Sequence, residues 1–237
     1  MFRDPRGGHN RKRINEDFFK SWSPAMAYVL GLIFADGAIE DVRLSSRTCY
    51  LHIASKDRPF LEQVRKVLSS EHNIYRRMPG KISIKGKEYI RKDVYSLRIG
   101  SKIIYQDLIN LGLTPRKSLK MKLPEIPKEH FRFFLRGYFD GDGNISCYIP
   151  KGRKIPRIRL TFVSGSHEFL DTLARKIQST LNTKSKTLYK ERGGNAYYLK
   201  YSKKDGLKIF DNMYKNLNRA PYLSRKYNIY QFFLSQN

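Results

Sequence analysis

Two aspartates in this chain sit at positions that cost free energy unless something binds them. Asp36 closes the apolar segment VLGLIFADG, Val29 to Gly37, and Asp142 closes LRGYFDGDG, Leu135 to Gly143. If both segments are helices, each carboxylate lies at the negative end of a macrodipole, which disfavours it by about 0.3 to 1 kcal/mol. In each segment two small residues stand four apart, Gly31 with Ala35 and Gly137 with Gly141, and that spacing puts them on one helix face. Such faces let two backbones approach closely. The spacing therefore predicts that the helices pack on each other at a pseudo-two-fold axis and end side by side, with Asp36 beside Asp142. Two carboxylates about 5 Å apart repel by roughly 3 kcal/mol at an effective dielectric near 20. A single Asp-Gly after a helix is an ordinary turn. The same unfavourable choice made twice, in phase, points to a bound cation, and magnesium suits an all-oxygen site that shares its ligands with phosphates.

The elements that must position this pair follow from periodicity. Ser23-Pro24 reads as N-cap and first residue of a helix running into Asp36. After Gly37 the pattern alternates, with Arg43, Ser45 and Arg47 against Val42 and Leu44, then Leu51 and Ile53, as paired strands do. Phe60, Leu61, Val64, Val67 and Leu68 recur at helical spacing from Arg58-Pro59 onward. Alternating runs follow near Ile82 to Lys85 and Val94 to Ile99, then a helix from Lys102 to Leu111 stopped by Gly112.

The second half replays this order. Pro127 opens a helix through Phe131, Phe133, Phe134 and Leu135; Arg157, Arg159 and Thr161 alternate with Ile158, Leu160 and Phe162; Ser164 to Leu181 is helical through Phe169, Leu170, Leu173 and Ile177. Leu51, Ser55, Phe60 and Leu61 map onto Leu160, Ser164, Phe169 and Leu170 at a constant offset of 109, as do Arg116-Lys117 onto Arg225-Lys226. The chain reads as an α+β protein built from a degenerate tandem repeat of about 110 residues, each unit αββαββα. Its divisions are a basic N-terminal arm at 1–20 that could lie along phosphates, a first repeat at 21–118, a Lys- and Pro-rich linker at 119–127 and a second repeat at 128–237.

Composition narrows the partner. Over 237 residues, 47 Lys and Arg oppose 21 Asp and Glu, a formal charge of +26, which calls for a polyanion. A phosphate backbone fits, because each neutralised phosphate releases counterions. An anionic membrane would call for a basic amphipathic helix or an anchor, whereas here the cations are spread along the chain among 14 Phe and 16 Tyr. Cys49 and Cys147 form neither a CxxC nor a disulfide framework, which suits a reducing compartment. The apolar run Ala25 to Ala35 is too short to span a bilayer. The expectation is a soluble, intracellular protein that is not secreted.

The paired segments resemble the signature helices of the LAGLIDADG homing endonucleases, in the single-chain form that carries both motifs, and the similarity extends from about Trp22 to Tyr227. The resemblance implies a monomeric pseudo-dimer with two saddle-shaped antiparallel sheets in the DNA major groove, and a magnesium-dependent double-strand cut across the minor groove of a long target. Manganese is expected to substitute, and calcium to bind without supporting cleavage. It assigns Asp36 and Asp142 as metal ligands, with the carbonyls of Ala35 and Gly141 beside them. Lys117 and Lys226 fall where relatives place basic residues that organise solvent near the cut; plain phosphate contact is the other reading of them. The first motif departs from the pattern, having Phe34 where the second keeps Asp140, and Ser55 and Ser164 stand where some relatives have longer polar side chains. Arg43, Arg47, Lys81, Lys85, Arg98, Arg157, Arg159, Lys190 and Lys200 alternate with apolar residues, so one face of each sheet is expected to pack on helices and the other to meet DNA.

Two other roles suit the same fold. An intron RNA maturase or a non-cleaving DNA-binding regulator would prefer binding to cutting. An endonuclease excised from an intein would show a Cys or Ser start and a His-Asn end, whereas this sequence runs from Met1 to Ser235-Gln236-Asn237, so a free-standing or intron-encoded protein is expected.

Overall fold

The first helix, α1 (Pro24–Asp36), begins at Ser23, whose hydroxyl accepts from the Met26 amide at 3.1 Å, and every residue from Met26 to Ala35 is buried. A helix that is apolar all round must lie inside a protein. It does so against its counterpart α4 (Phe131–Asp142), which is entered through a 3-10 turn at Lys128–His130 rather than directly from Pro127. The computed structural model describes residues 12–40, 49–84, 86–91, 93–152 and 155–236.

Each central helix passes straight into a strand. Gly37 and Gly143 are both extended, and their amides return to the carbonyls of Ile33 and Phe139. A Cβ on Gly37 would lie 2.6 Å from the Ile33 Cα, and one on Gly143 would lie 2.4 Å from the Phe139 carbonyl oxygen. Glycine is required at this corner by the close approach of the preceding turn. The first sheet holds β1 (Gly37–Ile39), β2 (Tyr50–Ser55), β3 (Ile74–Arg77) and β6 (Val94–Gly100) in the order β1-β2-β6-β3. The second holds β7 (Gly143–Tyr148), β8 (Arg157–Ser164), β9 (Tyr189–Lys190) and β10 (Tyr197–Ser202) in the equivalent order β7-β8-β10-β9. All pairings are antiparallel. Leu51, Ile53, Leu97 and Ile99 turn inward from one sheet, and Ile158, Leu160, Phe162 and Leu199 from the other. They meet α2 (Arg58–Val67), α3 (Lys102–Asn110), α5 (His167–Leu181) and α6 (Lys203–Tyr214) in a single core that includes both central helices.

The two halves depart from strict repetition in two places. In the first, a ribbon of β4 (Gly80–Ile84) and β5 (Lys87–Arg91) is inserted between β3 and β6. In the second, a further helix α7 (Ser224–Ser235) follows α6. Residues 12–20 do not trail away as a polar arm. Phe19 is buried, Ile14 and Phe18 pack on the core, the Asn15 amide donates to Leu68 O at 3.1 Å, and the Arg13 carbonyl accepts from Glu71 at 2.9 Å. Three apolar residues hold this stretch down. The segment after α3 is likewise built in, since Met121 and Ile126 are buried and a 3-10 turn spans Lys117–Leu119.

Candidate active site and nucleic-acid interface

Helices α1 and α4 approach each other backbone to backbone. A Cβ added to Gly31 would lie 2.1 Å from the carbonyl oxygen of Phe134, and one on Gly137 would lie 1.9 Å from that of Tyr28. One turn further on, a Cβ on Gly141 would lie 2.5 Å from the Cβ of Ala35 and 3.3 Å from Oδ2 of Asp36. The small residues thus bring backbone against backbone and set the Asp36 carboxylate against Gly141, the residue before Asp142. Both aspartate side chains reach solvent from this crowded seam.

The electrostatics show what the seam costs. Burial raises the Asp36 carboxyl above its ordinary value, while Lys226, Lys117 and Arg225 pull it back. Asp142 is pushed up to about 6, first by burial and then by the negative charge of Asp36. The donor set is entirely oxygen, and no group of three or more His, Cys, Asp and Glu side chains suited to a metal occurs among the described residues. Two carboxylates with open coordination positions fit a divalent cation that completes its shell from water, carbonyls or a phosphate.

Lys117 and Lys226 converge on the same seam, and both are buried. Lys117 Nζ donates to Ala35 O at 2.8 Å. Lys226 Nζ donates to the carbonyls of Phe139, Asp140 at 2.9 Å, Gly141 at 3.5 Å and Gly143. Each ammonium therefore covers the carbonyls exposed at the end of a central helix, where a cation also favours the dipole. Burial lowers both lysines, Lys226 to about 8, while the aspartates hold them up. Of the two carbonyls considered as metal donors, that of Ala35 is engaged by a short lysine bond and that of Gly141 only by a long one.

The partners of Asp140 under the second motif were not legible in the sequence. Asp140 is completely enclosed and accepts from the Tyr28 hydroxyl at 2.8 Å, the Tyr214 hydroxyl and the Leu223 amide at 2.9 Å. It ties α1, α6 and the start of α7 together, and so fixes the helix that carries Lys226. Arg136, one turn earlier and fully buried, donates to Met213 O at 3.2 Å and Ala220 O at 2.9 Å. In the first motif Phe34 fills the equivalent place, packing on Phe134 at 5.6 Å. The pseudo-symmetric contacts are thus polar on one side, Asp140 with Tyr28, and aromatic on the other. Asp140→Asn turns an amide NH₂ toward donors, and is expected to destabilise the fold by about 2 to 4 kcal/mol in urea unfolding. A loss under about 0.5 kcal/mol would show that the three donors do not need a carboxylate.

The basic strand residues divide by register, because opposed residues of an antiparallel pair share a face. Ala38, His52 and Arg98 form one row across the outer face of the first sheet. On the second sheet, Asn144, Thr161 and Lys200 form a row, as do Ser146, Arg159 and Ser202, with Arg157 opposite Tyr148. Lys190 pairs with Tyr197 and Tyr189 with Tyr198, so by register Tyr189 shares the face of Lys200 and Lys190 lies on the other, both exposed on the short edge strand β9. A one-residue difference in register reverses a side chain. Lys81 lies on the β4-β5 ribbon, exposed and 3.5 Å from Glu88. Arg43, Arg47 and Lys85 lie outside the described residues. Sequence reasoning missed the aromatic partners of these cations. Arg98 stacks 3.6 Å above Tyr50, Arg159 lies 5.2 Å from the centre of Tyr148, and Lys200 lies 5.1 Å from Tyr189 and 5.5 Å from Tyr198. The same alternation that marks the basic residues could have found them.

Among the described residues no helix is long and apolar enough to cross a membrane.

Known proteins share this fold. Residues 23–110 match the model of a LAGLIDADG-like domain, and residues 135–236 match that of a LAGLIDADG endonuclease. In fold the chain is similar to the meganuclease I-SmaMI bound to uncleaveable DNA, with a TM-score of 0.57 and 17% identity over 88% of each chain. It is similar also to I-LtrWI, a LAGLIDADG homing endonuclease bound to target DNA, with a TM-score of 0.54 and 15% identity over 93% of this chain and 90% of that one. Variants of the homing endonuclease I-DmoI give a TM-score of 0.54 and 18% identity over 88% of this chain and 96% of theirs. A probable translation initiation factor IF-2 from Methanocaldococcus jannaschii is 29% identical over 235 residues, 91% of this chain but only 17% of that protein. So small a share carries nothing of an initiation factor's activity across. Two signature helices with glycine seams, each opening a four-stranded antiparallel sheet, occur here in tandem, and the chain belongs to the LAGLIDADG endonuclease family.

Proposed function

We propose that the protein is a site-specific DNA endonuclease, acting as a monomer, that hydrolyses one phosphodiester bond in each strand of a long duplex target when a divalent cation is bound. The observation that carries this reading is the seam itself: Asp36 and Asp142 at the ends of two helices packed backbone to backbone, each helix opening a sheet with basic and aromatic residues on its outer face. Asp36 and Asp142 would hold the cation, with the Gly141 carbonyl better placed to assist than that of Ala35. Bound there, magnesium or manganese would stabilise charge on the scissile phosphate and activate the attacking water. Lys117 and Lys226 act as positioning residues. They hold the helix ends and offset the repulsion between the carboxylates. Arg98, Arg157, Arg159 and Lys200 serve the outer faces that meet DNA, and Lys81 contacts phosphates from the ribbon.

The test is incubation with a supercoiled plasmid library of candidate target sites in magnesium, in manganese and in calcium. Linear product from particular plasmids in the first two, with binding but no cut in calcium, is the expected result. Tight, salt-sensitive binding with no cut in any metal would assign the chain a binding role, and preference for structured RNA over duplex DNA would make that role a maturase's.

A further inference from the structure

We propose that Arg98 is a guanine-reading residue of the first half-site, held ready by Tyr50 and Glu40; the inference rests on the DNA-cleaving reading and names one of its specificity determinants. Glu40 is an acidic side chain on the outer face of a strongly basic protein, where it would repel a phosphate. Its position is fixed, because the Tyr105 hydroxyl donates to its main-chain carbonyl at 3.0 Å. Its Oε1 accepts from Arg98 Nη2 at 2.9 Å and meets His52 Nε2 at 2.8 Å. The guanidinium is held from below by the Tyr50 ring, 3.6 Å from its centre. It borders a recess of about 380 Å³ that Tyr50, Asn73 and Tyr75 also line.

A phosphate contact requires none of this, since a long flexible cation suffices. Stacking on one side and an ion pair at one nitrogen orient the planar fork before DNA arrives. Glu40 takes one of the two Nη2 protons, and Nη1 and Nε make no hydrogen bond among the described residues; the second Nη2 proton, beside that of Nη1 or of Nε, leaves one edge of the guanidinium with two parallel N–H groups to donate. Such a fork matches the paired acceptors O6 and N7 of guanine in the major groove, and lysine cannot reproduce it.

Location agrees. Ala38, two residues beyond Asp36, lies in one row with His52 and Arg98. That row is about 7 Å along the strand from the aspartate, with Arg98 two strand spacings, about 10 Å, across. At about 3.4 Å per base pair, the base read lies within roughly five base pairs of the cut.

Selection from a randomised duplex library by the whole chain, in EDTA and in calcium, tests this. The wild-type protein is expected to enrich guanine at one such position in one half-site. Arg98→Ala and Arg98→Lys should both flatten that position by about ten- to a hundredfold and leave the others, with Glu40→Gln flattening it in part. Uniform weakening by Arg98→Ala across all sequences, with the salt slope reduced by about 1, would make Arg98 a phosphate contact and overturn the inference. A guanine preference unchanged in both Arg98 variants would also overturn it and leave the endonuclease reading standing. Failure of the wild-type chain to enrich any duplex would overturn both. Arg98 lies on the surface, so unfolding temperatures close to wild type confirm that each variant is folded.

Discussion

Asp36→Asn and Asp142→Asn are each expected to lower cleavage at least about a thousandfold while making the metal-free fold more stable. The loss follows from removing one of two anionic donors, which halves the charge that holds a cation against the phosphates. The gain follows from linkage. An ordinary aspartate titrates at 3.8, but Asp142 is pushed up to about 6 in the folded chain by burial and by Asp36. A group whose folded value is raised favours the fold fully below its unfolded value, and that favour is lost as pH rises through the folded value. At neutral pH the ionised pair therefore works against folding, and Asn removes the conflict. Because these side chains reach solvent, screening reduces the effect to about 1 kcal/mol, or roughly 2 to 4 °C in Tm for a chain of this size. Thermal unfolding in EDTA across pH 4 to 8 checks this. The variant's advantage should be present at pH 7.5 and vanish toward pH 4. Added magnesium or calcium should then raise the wild-type Tm more than the variants', because it binds the folded pair. Equal Tm shifts with metal in all three proteins would remove the carboxylates from the metal site.

Gly31→Ala and Gly137→Ala are expected to be the most destabilising single methyl additions in the protein. At either position the new Cβ would fall about 2 Å from a main-chain oxygen of the other central helix, 2.1 Å from Phe134 and 1.9 Å from Tyr28. No side chain can swing away, so the helices themselves must part. A cost of about 3 kcal/mol or more is expected from overpacking of this kind. The separation would also draw Asp36 from Asp142, so any folded fraction should bind divalent cations weakly. Gly206→Ala in α6 is the matched control. There the nearest atom to the new Cβ is the Tyr201 carbonyl oxygen at 3.4 Å, and replacing a helical glycine should add about 0.5 to 1 kcal/mol. Urea unfolding of the three variants measures the contrast. Gly31→Ala within 1 kcal/mol of wild type would mean that the seam is looser than about 2 Å contacts allow.

The sequence by itself determined the parts whose signal is local or repeated. Ser23-Pro24 marked the start of α1, alternation marked β2, β6 and β8, and small residues four apart marked the seam, because periods of two and 3.6 are written into consecutive side chains. Duplication did the rest: one Asp-Gly is a turn, and two in phase are a pair. What depended on contacts between distant parts of the chain only the tertiary structure decided. Lys226 reaches carbonyls 83 to 87 residues away, and Asp140 accepts from a hydroxyl 112 residues before it; nothing in the neighbouring sequence specifies either bond. Lys190 alternates with apolar residues just as Lys200 does, yet pairing across β9 and β10 turns it to the other face. Residues 12–20 look polar in sequence but are held by three apolar side chains whose partners lie elsewhere in the fold. Periodicity states which side of an element is apolar. Which element covers that side, and in what register, is fixed only when the distant partner packs against it.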